Sequence, residues 1–181
     1  MIHPTRPATL LAVLCCLAFS SALACTCHGP GSVETSVKGS SAVFTGIVLK
    51  VEYFGLGETI LADSLAIARE LSHESSKNFL ETPMVLKATM LVKNEFKGVA
   101  KNDTIVVYTG IRGATCGFKF EANKEYTVYG TSENYMYMFL HIDRQRFKNF
   151  SKKGVYWTSI CSRTTIAVGR EHGILNEYFK K

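Results

Sequence analysis

Ala42-Val43-Phe44-Thr45-Gly46-Ile47-Val48-Leu49-Lys50-Val51-Glu52-Tyr53-Phe54 is rich in β-branched and aromatic residues and reads as one long strand. The glycine at 46 marks a bulge or bend, which a closed barrel needs. Upstream, Ser32 caps a short helix through about Lys38, with Glu34 in its first turn and Gly39 at its end. Downstream, Gly55 and Gly57 stop the strand, and Leu61, Leu65, Ala68 and Leu71 follow helical spacing. Residues 55–82 therefore read as an inserted helical excursion between two strands, with a plain loop as the competing reading. Pro83 resets the chain. Met84 to Phe96 is a second long strand in which Val85, Lys87, Thr89, Leu91 and Lys93 do not alternate cleanly, so one face is expected to be only partly buried. Thr104 to Thr109 is a third strand and Glu125 to Gly130 a fourth, after the turn Ala122-Asn123-Lys124; Tyr135 to Ile142 is read as a fifth. Val155 to Ile160 leads into Cys161, and Val168 to Lys181 forms an amphipathic helix using Ile174, Leu175, Tyr178 and Phe179. Five strands, a late helix and irregular loops predict a mainly β domain built as a small Greek-key barrel.

The first 24 residues are set apart from this domain. Arg6, the apolar stretch Thr9 to Phe19 and the small-residue exit Ala22-Leu23-Ala24 describe a secretory signal peptide. Removing these 24 of 181 residues leaves 157, enough for one domain, 25–181, with its own core. Hydrophobic residues make up 46% of the chain, with 8 Tyr and 11 Phe, which excludes intrinsic disorder. Losing Arg6 lowers the formal charge of +6 by one, leaving a modest basic balance that fits ordinary surface lysines better than a dedicated acidic partner. The expected location is outside the cell. Lipid anchoring at Cys25 is the alternative, although Ala22 stands where a lipobox has leucine and acylation would consume both the Cys25 thiol and its amine.

Cleavage after Ala24 leaves Cys25, Cys27, Cys116 and Cys161 and makes Cys25 the first residue. Four cysteines in an exported chain imply two disulfides. A ring closed across the single residue Thr26 is strained, which disfavours Cys25–Cys27. Both other pairings tie the N-terminus to the regions of Cys116 and Cys161 by loops of about a hundred residues, each contributing about 4 to 5 kcal/mol of chain entropy.

Catalytic motifs are absent: there is no G-x-S-x-G, no H-E-x-x-H, no phosphate-binding glycine loop and no paired-carboxylate pattern. His28, His73, His141 and His172 are scattered without ligand spacing and read as structural. Cys25, Cys27 and His28 have metal-binding chemistry, but thiols in an oxidising compartment go into disulfides. Thiol redox activity through Cys25 and Cys27 is the enzyme-class alternative and needs them free. No cofactor is implied. Arg144, Arg146, Lys148, Lys152 and Lys153 interleave with Phe147, Phe150, Tyr156 and Trp157, as on a barrel that binds a strand of nucleic acid. Export favours an anionic glycan or a membrane surface instead, against a solvated loop beside core aromatics.

An N-terminal cysteine with a free amine offers that nitrogen and its own carbonyl oxygen as a bidentate chelate for the open position of a zinc held by another protein. Disulfides through Cys25 and Cys27 would preorganise it. With Cys25-Thr26-Cys27 at the start, the strand Val43 to Val51, Thr115-Cys116-Gly117-Phe118, Tyr126-Thr127-Val128-Tyr129-Gly130 and Thr158-Ser159-Ile160-Cys161-Ser162, the chain resembles the netrin-like domain of the tissue inhibitors of metalloproteinases. The pieces stand in the right order over most of the mature chain. The resemblance implies an OB-type five-stranded barrel with flanking helices, and disulfides Cys25–Cys116 and Cys27–Cys161. It implies that the Cys25 amine and carbonyl chelate the target's zinc, that Thr26 enters the primed-side pocket, and that Cys27, His28, Ala114 and Thr115 complete the contact edge. Two departures stand out: the family's third disulfide in this domain has no cysteines here, and His28-Gly29-Pro30 replaces a more apolar run. The chain looks closest to small exported single-domain relatives in bacteria. The expected function is non-catalytic inhibition of a zinc metalloproteinase; the alternative is an exported netrin-like binding module without inhibition.

Overall fold

A computed structural model describes residues 27, 29–71, 78, 80–111, 115–135 and 154–180. In order these form α1 (Val33–Gly39), β1 (Ala42–Gly55), a 3₁₀ turn (Leu56–Thr59), α2 (Ala62–Leu71), β2 (Pro83–Lys97), β3 (Thr104–Gly110), β4 (Glu125–Gly130), β5 (Val155–Trp157) and α3 (Val168–Phe179). The strands make one mixed sheet in the order β4-β1-β2-β3-β5, antiparallel except for the parallel pair β3–β5.

β1 is the spine. It pairs with β2 along its length, Val43 opposite Lys97 to Gly55 opposite Pro83, and its first half also pairs with β4, Ala42 opposite Gly130 to Ile47 opposite Glu125. Flanked on both sides, that half is buried on both faces: Phe44 and Val48 point into the main core and Val43 into a separate cluster with α1 and α3, all fully buried. The bend expected at Gly46 is present as a register shift between Thr45 and Gly46, and a Cβ there would stand 2.8 Å from the Leu91 carbonyl oxygen.

The main core lies on one face of the sheet and contains Phe44, Leu86, Met90, Val107, Phe120 and Val128. β2 contributes Leu86, Ala88, Met90 and Val92, a clean alternation, while Lys87, Thr89, Leu91 and Lys93 on the other face are only partly buried, as the sequence led one to expect of one face. Val85, the exception, turns to the other face, where it meets Leu56, Ile60, Ala68, Leu80 and Trp157. The helical excursion expected between β1 and β2 is therefore a packed layer, and Leu61, assigned to its apolar stripe, is 37% exposed because α2 begins only at Ala62. The third cluster joins Val37 of α1, Val43, Tyr129 and Leu175 of α3.

Helix ends are satisfied locally. The Ser32 hydroxyl accepts from the Thr35 amide at 3.2 Å, and Lys97 of β2 donates to the Val37 and Ser40 carbonyls at 2.8 and 2.6 Å, closing the C-terminal end of α1.

The fifth strand is Val155–Trp157; of the strand expected from Tyr135 to Ile142, all but Tyr135 lies outside the described residues. By its ladders the sheet is open, with β4 and β5 at its edges. Just past the end of β4 the chain meets β5 in an isolated antiparallel bridge: the Thr131 amide donates to the Trp157 carbonyl at 2.8 Å and the Trp157 amide returns a bond to Thr131 at 2.7 Å.

Candidate functional site

Three separate stretches of chain meet beside β3 and β5: the N-terminal arm at Cys27, the turn at Thr115-Cys116-Gly117, and Ile160-Cys161 after β5. Cys27 and Cys161, 134 positions apart in sequence, form a disulfide with Cα atoms 5.2 Å apart, the pairing the resemblance implied. Cys116 is also disulfide-bonded, to a partner outside the described residues. The Ile160 amide donates to the Cys116 carbonyl at 2.9 Å, bringing all three described cysteines to one ridge.

The turn that carries Cys116 is held tightly. Gly110 ends β3, and Gly117 packs against it so closely that a Cβ on Gly117 would clash with the Gly110 carbonyl oxygen. The Phe118 amide donates to the Thr109 hydroxyl at 2.8 Å, and the Gly110 amide donates to the Tyr135 hydroxyl at 2.7 Å. Burial pushes Tyr135 above its usual pKa, so the phenol stays neutral. Cys116 itself sits at φ +53°, the left-handed region, which turns the chain sharply between Thr115 and Gly117.

Of the residues assigned to the contact edge, Cys25, Thr26, His28 and Ala114 lie outside the described residues, as do Arg144, Arg146, Lys148, Lys152 and Lys153. Cys27 is half-buried in its disulfide. Thr115 is 2% exposed, and its hydroxyl donates to the Ile111 carbonyl inside the turn. It braces the ridge from within. Ile160 lies on the ridge's outer surface, 46% exposed. His172 packs edge-on against Phe96 with ring centroids 5.4 Å apart, a structural place.

A buried ion pair went unread in the sequence. Glu171, in the first turn of α3, is 6% exposed; it accepts from the Tyr129 hydroxyl at 2.6 Å and takes a two-point contact from Arg163. Burial first, then the Glu171 carboxylate, pushes the Tyr129 phenol well above its usual pKa, while the hydrogen bond to Glu171 raises Arg163 further above its already high value. Arg163 also donates to the Gly31 carbonyl at 3.0 Å. Beside this pair Thr158, Ser162 and Thr164 share hydroxyl hydrogen bonds of 2.7 to 3.0 Å. A groove of about 340 Å³ runs along the same surface between Pro30, Ile160, Thr165 and Arg170. The only sequence signal for the pair was an Arg and a Glu eight residues apart, and its burial depends on tertiary packing.

Among the described residues no group of three or more His, Cys, Asp or Glu side chains is arranged to hold a metal ion, and no helix is long and apolar enough to cross a membrane. No family model matches the chain, and no curated protein is significantly similar to it.

Proposed function

We propose that this is an exported, non-catalytic netrin-like protein that inhibits a zinc metalloendopeptidase through its mature N-terminus, with Cys25 as first residue after cleavage behind Ala24. Its amine and carbonyl oxygen fill the open coordination position of the target's zinc, and Thr26 follows into the adjoining pocket. The single observation that carries the reading is the anchorage of the arm: the segment that follows Cys25 and Thr26 is fixed at Cys27 by a disulfide and at Gly31 by Arg163. Such an anchor removes conformational freedom before binding and so reduces the entropy lost in the complex.

The barrel is part of the proposal. The order β4-β1-β2-β3-β5, the parallel β3–β5 pair and the Thr131–Trp157 bridge between the two edges support an OB-type barrel whose closing seam, among the described residues, is a single pair of backbone hydrogen bonds.

Thr115 favours a second reading, an exported binding module without inhibition, because a residue assigned to the target edge turns its hydroxyl inward. The basic segment 144–153 would then engage an anionic glycan or membrane surface.

Mass spectrometry of the exported protein without reduction, followed by inhibition assays, tests the choice. The inhibitor requires an unmodified chain beginning at Cys25, bridges 25–116 and 27–161, and loss of inhibition when one alanine is added before Cys25. An acylated Cys25, or a terminus elsewhere, leaves only the binding module.

A further inference from the structure

The arm between Cys27 and Ser32 has more than one attachment. The disulfide to Cys161 fixes one point, and rotation about the bonds of a single cross-link leaves the arm's direction free. Four residues on, the Gly31 carbonyl accepts from Arg163 Nη1 at 3.0 Å, and Ser32 then caps α1. Arg163 is itself immobilised: Nη2 donates to Glu171 Oε2 at 3.1 Å and Nε donates to Oε1. Glu171 in turn holds the Tyr129 hydroxyl of β4. A guanidinium is planar and carries donors on two sides, so one edge grips a carboxylate while the other still reaches a carbonyl. A lysine ammonium at the same place has the charge without that fork.

We propose that Arg163 is the positioning residue of the N-terminal arm. It carries the rigid seat made by Glu171 and Tyr129 to Gly31, so that the arm leaves the domain in one direction. The proposal rests on the reading of the arm as the presented surface and deepens it: presentation depends on the geometry of the Arg163 fork and not on its charge alone.

The test is the backbone order parameters of Gly29 and Gly31 by NMR relaxation on the oxidised full mature chain, for wild type, Arg163→Lys and Arg163→Ala. In wild type both amides should show the values of rigid backbone, about 0.85, and in Arg163→Lys they should fall below about 0.6 while β1 and β2 are unchanged. The lysine variant keeps a cation beside Glu171 and so covers the case in which Arg163→Ala fails to fold. Unchanged order parameters at both glycines in a folded variant overturn the proposal. The measurement needs no proteinase. Loosened glycines in a protein that inhibits nothing would uphold the positioning role while refuting the inhibitory function, and rigid glycines in a variant of a working inhibitor would do the reverse.

Discussion

The amide of Ile160 donates to the carbonyl of Cys116 at 2.9 Å, so the segments bearing two of the ridge cysteines are joined through their backbones independently of any disulfide. The ridge is thus a property of the sheet, since Ile160 follows β5 and Cys116 follows β3, and these strands are hydrogen-bonded neighbours. The disulfide adds the N-terminal arm to a seat already made.

Removing that disulfide should cost stability without dissolving the seat. The double variant Cys27→Ser/Cys161→Ser is expected to lose about 2 to 5 kcal/mol in urea unfolding, the upper end being the chain-entropy value for a loop of 134 residues. Hydrogen exchange at the Ile160 amide should stay slow in native buffer, because its acceptor is untouched.

Two glycines should respond in opposite ways. Gly117→Ala drives a methyl into the Gly110 carbonyl oxygen, where backbone must move, and should destabilise by about 3 kcal/mol. Gly173→Ala, in the interior of α3 with nothing within 4 Å of the new methyl, should stabilise by about 0.5 to 1 kcal/mol. Urea denaturation at pH 7 measures both.

Glu171→Ala leaves Arg163 without its carboxylate in a largely buried site and should cost about 3 to 5 kcal/mol. The double variant with Arg163→Met should recover part of that loss, because the uncompensated charge is gone. Tyr129 adds an alkaline signature. Its folded-state pKa is raised above the ordinary value of 10.0, chiefly by burial and then by Glu171, so its contribution is complete below pH 10 and is lost as pH climbs above it. Tyr129→Phe should therefore be less stable than wild type at pH 7 and show a flatter decline from pH 10 upward.

Glu121 gives the acid counterpart. Hydrogen bonds from Lys119 first and then Lys124 lower its pKa from 4.5 to about 2. Its contribution to stability is present above pH 4.5 and is lost as pH falls through about 2. NMR titration should show the Glu121 carboxyl midpoint near 2 in low salt, moving towards 4.5 in high salt as the exposed ion pairs are screened. A midpoint near 4.5 at low salt would contradict the pairing with both lysines.

The elements with a strong period or a strong stop were legible in the sequence. α1 carried its Ser32 cap, β1 its β-branched run, and β4 its tight turn at Asn123, which takes φ +63°. β2 was found with its partly buried face, but not which side enters the main core, because Val85 and Leu91 compete with Leu86, Met90 and Val92 for the core, and only the register against β1 decides between them. β5 was passed over as a lead-in to Cys161: three residues are too few to show alternation, and their strand character comes from pairing with β3. Cysteine spacing drew attention to the ridge, whereas the Glu171–Arg163 seat depended on burial that composition does not encode.

The 134-residue span between Cys27 and Cys161 also orders the chain's history. Cys27 leaves a ribosome or a translocation pore among the first residues of the domain, and its partner emerges only after all five strands have passed. Cys25 stands two positions from Cys27, and Cys116, 89 positions along, emerges 45 positions ahead of Cys161. Any bond that Cys27 forms before Cys161 emerges is therefore non-native. The native bridge is reached by waiting or by reshuffling, so the yield of this protein should depend on a disulfide isomerase more than on an oxidant.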